Sequence, residues 1–352
     1  MTSGSSQRAS TLAANLKLGE RVFASASDKA LLAAIDAGLE QVEEQLGSEV
    51  NFDDPIADSA TQYLYSAGGK RVRPMLTLLT AQLGGGNSAA VIDAACAIEL
   101  THLASLYHDD VMDDADRRRG VPAAQTVWGN SVAILTGDLL FARASQVMSR
   151  LGERAILLQS ETFMRLVLGQ LHETSGPAEG ADPVAHYIQV LADKTGSLIA
   201  AAARAGVLFS GAAEEFEQPV VLFGERVGIA FQLIDDVIDL SPDAEETGKV
   251  PGTDLRAGVV TLPLLKLRAR AEHNAADAAL LARIETELIG VEDPALGMDV
   301  VAALREHEVT AETLADAKRW AQDAEAALAP LPDGSVKKAL IRFTETVVER
   351  SH

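Results

Sequence analysis

Gln232-Leu233-Ile234-Asp235-Asp236-Val237-Ile238-Asp239 is an apolar run cut by three aspartates. Far upstream, His108-Asp109-Asp110-Val111-Met112-Asp113-Asp114 repeats the same Asp-Asp-x-x-Asp core. On a helix, positions i and i+4 lie on one face about one turn apart, so Asp109 stacks on Asp113 and Asp235 on Asp239. Such stacked like charges weaken an isolated helix. Both clusters also sit among core-type residues: Leu103 and Leu106 before the first, Phe231, Leu233, Ile234, Val237 and Ile238 around the second. Carboxylates in that setting are costly unless a cation neutralises them. Oxygen-only ligands select hard cations, and Mg²⁺ commonly takes one or two carboxylates with phosphate and water completing its shell. One such cluster in an acidic chain describes a solvated helix end; two, both flanked by apolar residues, describe metal sites.

Outward from these clusters the chain reads as helix throughout. Leu31, Leu32, Ile35, Leu39, Val42 and Leu46 recur at spacings of three and four, marking one apolar face. Similar patterns begin near Ala57, Ala89, Val132, Arg154, Pro183 and Val220, and Asp182-Pro183 has the form of a capped helix start. Breakers fall between them at Gly84-Gly85-Gly86, Ser175-Gly176-Pro177, Pro242-Asp243, Pro251-Gly252, Pro330 and Pro332. No strand-like alternation persists. The expectation is an all-α protein, with a loose tail over 1–27 and a single helical domain over 28–352.

The 352 residues are 47% hydrophobic but only 4% aromatic, which suits helices packed through small and aliphatic side chains. A net charge of −21 disfavours nucleic acid and a polybasic membrane contact. Cys96 stands alone among alanines and reads as a small core residue. The N-terminus lacks the apolar segment of a signal peptide, and the stretch from Leu198 to Ala213 is interrupted by Arg204 and too short to span a bilayer. A cytoplasmic location without a transmembrane segment is the expectation.

Against that acidity, two basic clusters stand out. Gly68-Gly69-Lys70-Arg71-Val72-Arg73-Pro74 sets three cations beside flexible glycines, and Asp116-Arg117-Arg118-Arg119-Gly120 follows the first aspartate cluster. Guanidinium forks and lysine point charges bind phosphate oxygens. Either cluster alone would pass for a surface ion-pair patch. Beside paired metal carboxylates they imply a metal–diphosphate site. His102 lies two turns before Asp109 on the same face, whereas His108, His172 and His186 read as ordinary core or surface residues.

In its ordered motifs the sequence resembles the trans-polyprenyl diphosphate synthases of the isoprenoid synthase superfamily. The matching stretches are Gly69-Lys70-Arg71-Val72-Arg73-Pro74, Asp109-Asp110-Val111-Met112-Asp113 with Arg118-Arg119-Gly120, Gly137-Asp138, Lys194-Thr195-Gly196, Gln232 with Asp235-Asp236-Val237-Ile238-Asp239, Gly248-Lys249 and Thr261-Leu262-Pro263. The resemblance implies the isoprenoid synthase fold, an orthogonal bundle of roughly ten or more helices around a central cavity, usually as a homodimer. It places isopentenyl diphosphate on Lys70, Arg73, His102 and Arg119. It places Mg²⁺, roughly two or three ions per site, on Asp109, Asp113 and Asp235, with Asp110 and Asp239 in support. The allylic diphosphate falls to Arg118, Lys194, Thr195, Gln232 and Lys249. One departure is Val259, which stands where many members carry a Lys facing the allylic diphosphate.

The implied reaction is head-to-tail chain elongation. The allylic substrate loses pyrophosphate, the double bond of isopentenyl diphosphate attacks the resulting cation, and a proton leaves, with the departing pyrophosphate as base. No enzymic nucleophile is needed, so positioning and electrostatics carry catalysis. The tail should grow down the helix that bears Asp109. Ser105 lies one turn before it, about 5–6 Å deeper, with Thr101 one turn further. In short-chain members bulky aromatics stand near the positions of Ala104 and Ser105. Both are small here, so the tunnel is expected to extend to a floor at Phe163 or Met164 and to release a product of about six to ten units. Such a product suits a quinone side chain made by a membrane enzyme that receives it. Geranylgeranyl diphosphate is the alternative product. A non-catalytic regulatory subunit is the alternative of another class, disfavoured because both aspartate motifs are intact. A terpene cyclase shares the fold but has no use for an isopentenyl diphosphate site at Lys70 and Arg73.

Overall fold

The computed structural model describes residues 26–241, 250–291, 293 and 295–349. In chain order the helices are α1 (Ala26–Glu49), α2 (Pro55–Ser66), α3 (Val72–Ala81), α4 (Ala89–Met112), α5 (Ala124–Trp128), α6 (Asn130–Arg150), α7 (Glu153–Ser175), α8 (Pro183–Leu191), α9 (Ser197–Ser210), α10 (Glu217–Ile238), α11 (Thr253–Arg256), α12 (Leu262–Ala271), α13 (Ala275–Glu287), α14 (Met298–Glu306), α15 (Glu308–Ala327) and α16 (Ser335–Glu349). A π-helical turn, Ala192–Gly196, joins α8 to α9, and β1 (Arg117–Arg118) pairs with β2 (Val121–Pro122) in a small hairpin.

The local causes are readable residue by residue. In α1 the expected stripe buries Leu31, Ile35, Leu39, Val42 and Leu46, while Leu32 is only half-buried. Asp54 caps α2 by accepting from the Ile56 and Ala57 amides, and Asp182 caps α8 by accepting from Val184. In both helices Pro takes the first position, where its missing N–H costs nothing. Ser88 caps α4 in the same way through Val91.

The chain divides into two compact units. Of the described residues, one unit comprises those up to Arg165 with Ser197–Gly224 and Ala327–Phe343; the other comprises Leu166–Gly196, those from Glu225 to Ala326 and those from Thr344 to Glu349. In the first, α4 is the core element: α1, α3, α6 and α9 pack on it, and Ala94, Ala95, Cys96 and Ala97 are wholly enclosed. Gly206 on α9 touches the Thr77 and Ala81 backbone of α3 so closely that any side chain would collide. Among the described residues α4 is the one helix long and apolar enough to cross a membrane, and 67% of that window is buried inside the protein, as in a core helix. In the second unit Leu240, Leu255, Leu264, Leu267 and Ile284 form one apolar cluster, and Leu191, Ile229, Leu233, Ile234 and Leu262 form another.

Candidate active site

Both aspartate motifs terminate their helices. Asp113 is the C-cap of α4 and its amide donates to Asp109 O at 2.8 Å. Asp239 stands just past the end of α10, and its amide donates to Asp235 O at 2.9 Å. A helix C-terminus carries the negative end of the backbone dipole, so acidic side chains there are doubly unfavourable without a cation.

The middle aspartates behave differently. Asp110 is fully buried and accepts from Arg118 Nε at 2.6 Å; its second carboxylate oxygen is buried without a hydrogen-bond partner. Burial raises the Asp110 pKa, and the Arg118 charge opposes that rise. Arg118 thereby ties the hairpin to α4. The hairpin turns over Arg119 (φ 52°) and Gly120 (φ 80°), the two positive-φ positions of a type I′ connection. That turn sends the Arg119 guanidinium back to donate to the carbonyls of Leu64, at 2.9 Å, and Gly68.

Two further cations and a histidine meet it. Arg71, with φ 49° at the start of α3, is held in bidentate fashion by Glu43 (2.8 and 3.0 Å) and by Glu99 at 3.2 Å. Arg73 has a buried Nε without a partner, and burial lowers its pKa. His102 is enclosed by charge: burial first, then Arg73, Arg119, Arg71 and Arg118, hold its pKa well below the ordinary value. The ring is therefore neutral. At Gly69 an added Cβ would lie 2.7 Å from Arg71 Nη1 and 3.0 Å from Arg119 Nη2, so the guanidinium groups crowd a bare stretch of backbone. Lys70 is exposed beside it. The expected residues Arg73, His102, Arg118 and Arg119 are thus brought together, in surroundings that call for an anion.

Below Asp109, Ser105 is half-buried and its hydroxyl donates to His102 O at 2.9 Å. Ala104 is fully buried, and its carbonyl lies 3.1 Å from where a Cβ on Gly137 of α6 would stand. The missing side chain of Gly137 permits α4 and α6 to approach here. Thr101 accepts from Gln159 Nε2 of α7 at 2.9 Å. Phe163 is 37% exposed and its ring packs against Phe141 at 4.4 Å between centroids; Met164 is 57% exposed.

In the second unit Lys194 and Thr195 lie on the π-helical turn, a device common at functional sites. Gly169 lets the α7 backbone come close to this turn: its Cβ would stand 2.7 Å from the Lys194 amide. Lys194 Nζ pairs with Glu173 at 2.5 Å. Gln232 is half-buried on α10, three residues before Asp235. Asp239 Oδ2 accepts from the Asp254 amide at 3.2 Å. Asp236 is buried and takes the Tyr187 hydroxyl (2.8 and 3.0 Å to its two oxygens) and the Leu262 amide (3.1 Å). Burial pushes its pKa up to about 7, against the pull of these two donors. Val259 is exposed. Lys249, expected at the allylic diphosphate, lies outside the described residues. Glu173 and Tyr187 had no motif to betray them; a tyrosine two helical turns before Lys194 was the one available signal.

Among the described residues no three His, Cys, Asp or Glu side chains converge on a ready-made metal site. Each unit instead presents oxygen-only carboxylates at one helix C-terminus, Asp109 and Asp113 in the first and Asp235 and Asp239 in the second. Either pair fits a hard cation completing its shell with substrate phosphate and water rather than a protein cage.

The comparisons with known proteins agree with this chemistry. Residues 54–288 match the polyprenyl synthetase family, and the chain belongs to that family of prenyl-transferring enzymes. It is 41% identical to the nonaprenyl diphosphate synthase of Mycobacterium tuberculosis over 97% of this chain and 98% of that protein. Among solved structures it resembles a geranylgeranyl pyrophosphate synthase from Corynebacterium glutamicum, complexed with calcium and isoprenyl diphosphate, with 39% identity, a TM-score of 0.80 and coverage of 94% and 99%. It also resembles a decaprenyl diphosphate synthase from Rhodobacter capsulatus, with 31% identity, a TM-score of 0.81 and coverage of 92% and 99%. These neighbours share the all-helical isoprenoid synthase fold, and the relatives include long-chain synthases.

Proposed function

We propose that the protein condenses isopentenyl diphosphate with an allylic diphosphate, in a Mg²⁺-dependent and repeated reaction, to give a long-chain all-trans polyprenyl diphosphate of about six to ten units. The observation that carries the reading is the group of Arg73, Arg118 and Arg119 around a neutral His102, on the helix whose end holds Asp109 and Asp113. Lys70, Arg73, His102 and Arg119 bind isopentenyl diphosphate. Arg118, Lys194, Thr195, Gln232 and Lys249 bind the allylic diphosphate. Asp109, Asp113, Asp235 and Asp239 are the Mg²⁺ ligands, and Asp110 supports them by fixing Arg118. Bound Mg²⁺ supplies charge for the leaving pyrophosphate.

The chain's own residues hold the two diphosphates, exclude water and place the isopentenyl double bond against the allylic carbon. A neutral His102 can donate one ring N–H to a phosphate oxygen. The attack leaves a cation on the isopentenyl unit, and the proton lost from the adjacent C2, whose bonding electrons form the new double bond, leaves with pyrophosphate. The tail descends past Ser105. The enzyme works as a cytoplasmic homodimer of one polyprenyl synthase domain per chain, and its product is handed to a membrane enzyme that attaches quinone side chains. The 39% identity to a geranylgeranyl pyrophosphate synthase supports a four-unit product as the second reading.

The test is pyrophosphate release in the presence of isopentenyl diphosphate, an allylic diphosphate and Mg²⁺. Release should require all three. Release without isopentenyl diphosphate would favour a cyclase, and no release at all would refute the reading.

A further inference from the structure

We propose that Tyr187 is a positioning residue for the allylic-diphosphate half of the reaction, acting through Asp236; this rests on the assignment of the Asp235 motif to metal and allylic diphosphate.

One carboxylate joins three pieces of the second unit. Asp236 sits in the last turn of α10, between Asp235 and Asp239. One of its oxygens accepts the Leu262 amide, the first residue of α12. Thr261, the residue before α12, makes no side-chain cap of its own. The first amides of a helix have no partner within it and favour an anion, so Asp236 caps α12 from another helix. The Tyr187 hydroxyl donates to the same carboxylate from α8, two turns before Lys194 on the segment that runs directly into the π-helical turn.

The hydroxyl therefore links the element presenting Lys194 and Thr195 to the element presenting Asp235 and Asp239. Asp236 is 6% exposed, so water cannot readily replace a lost donor. Without the hydroxyl, the carboxylate keeps the Leu262 amide but loses its tie to α8. The last turn of α10 then keeps the Leu262 and Asp254 amides but loses the tie that fixes it against α8, and the neighbouring aspartates are placed less firmly toward Lys194. The cost should fall on metal and allylic diphosphate. Isopentenyl diphosphate is assigned to residues of the first unit and should be spared.

Tyr187→Phe removes the hydroxyl and little volume. In the full-length chain, the KM for the allylic diphosphate and the half-saturating Mg²⁺ concentration should each rise about ten-fold, while the KM for isopentenyl diphosphate should stay within about two-fold of wild type. Asp236→Asn, which keeps an oxygen for the Leu262 amide, should show the same split and serves if Tyr187→Phe does not fold. The double variant should be no worse than the more impaired single variant, because the two groups act as one node. Additive penalties, equal shifts in both KM values, or unchanged Mg²⁺ and allylic constants in Tyr187→Phe would each overturn the proposal. A wild-type protein that forms no prenyl product overturns the parent reading as well; an active wild type with an indifferent Tyr187→Phe overturns this one alone.

Discussion

His102→Gln should change how the protein's stability depends on pH, in a direction the structure determines. The imidazole is kept neutral by burial and by the charges of Arg73, Arg119, Arg71 and Arg118, so its folded pKa lies well below 6.5. In the unfolded chain the same ring titrates at the ordinary value. Below pH 6.5 the unfolded state therefore takes up a proton that the folded state refuses. The stability contributed by the neutral ring is present above pH 6.5 and is lost as pH falls. One proton of difference amounts to about 1.4 kcal/mol per pH unit, so the ordinary pKa of the unfolded ring limits the loss to at most about 2 kcal/mol by pH 5. Glutamine keeps a hydrogen-bond donor but does not titrate. Urea unfolding from pH 8 down to 5 should show wild type losing more stability than His102→Gln, by at most about 2 kcal/mol, with the other titrating groups common to both chains. Added pyrophosphate should shrink the difference, because an anion beside the ring readmits its proton. Parallel curves would mean that His102 is not enclosed by these guanidinium groups.

Asp109→Ala and Asp235→Ala should each cut turnover by about 1,000-fold or more with the helical circular-dichroism signal intact, and EDTA should abolish wild-type activity until Mg²⁺ is restored. Near-normal turnover in either variant would remove that motif from the site. Arg73→Ala should raise the KM for isopentenyl diphosphate at least about ten-fold more than that for the allylic partner, and Lys194→Ala should do the reverse; equal effects would mean the subsites are wrongly divided. Ser105→Phe should shorten the product to about three or four units by placing a ring one turn below Asp109. Ala104→Tyr should instead lower the melting temperature, because Ala104 is enclosed where α4 meets Gly137; a normal melting temperature with a shortened product would put Ala104 back on the tunnel wall.

The helices were legible wherever a cap or a periodic stripe marked them. Asp182-Pro183 begins α8 as expected, and α1 buries the stripe read from Leu31 to Leu46 apart from Leu32. The two motifs were legible because chemistry, rather than packing, dictates their aspartates. The hairpin was not, because its type I′ turn uses Arg119-Gly120 in place of the Asn-Gly or Asp-Gly that usually announces one. The apolar character of α4 is masked in the sequence, because Asp93, Glu99 and His102 interrupt its hydropathy, whereas the stretch from Leu198 is broken by Arg204 alone. Contacts distant in sequence left no trace: Asp236 with Tyr187 and Leu262, or Ala104 against Gly137, depend on which helices meet. Within Asp235-Asp236-x-x-Asp239 the pattern alone does not reveal that the middle carboxylate is spent on α12 and Tyr187.

The most direct test of the account is the length of the lipid formed when the purified protein is incubated with Mg²⁺, an allylic diphosphate and labelled isopentenyl diphosphate, then dephosphorylated and chromatographed. The prediction is an all-trans polyprenol of about six to ten units, formed only when Mg²⁺ is present. A product of only three units, or no prenyl alcohol at all, would contradict it.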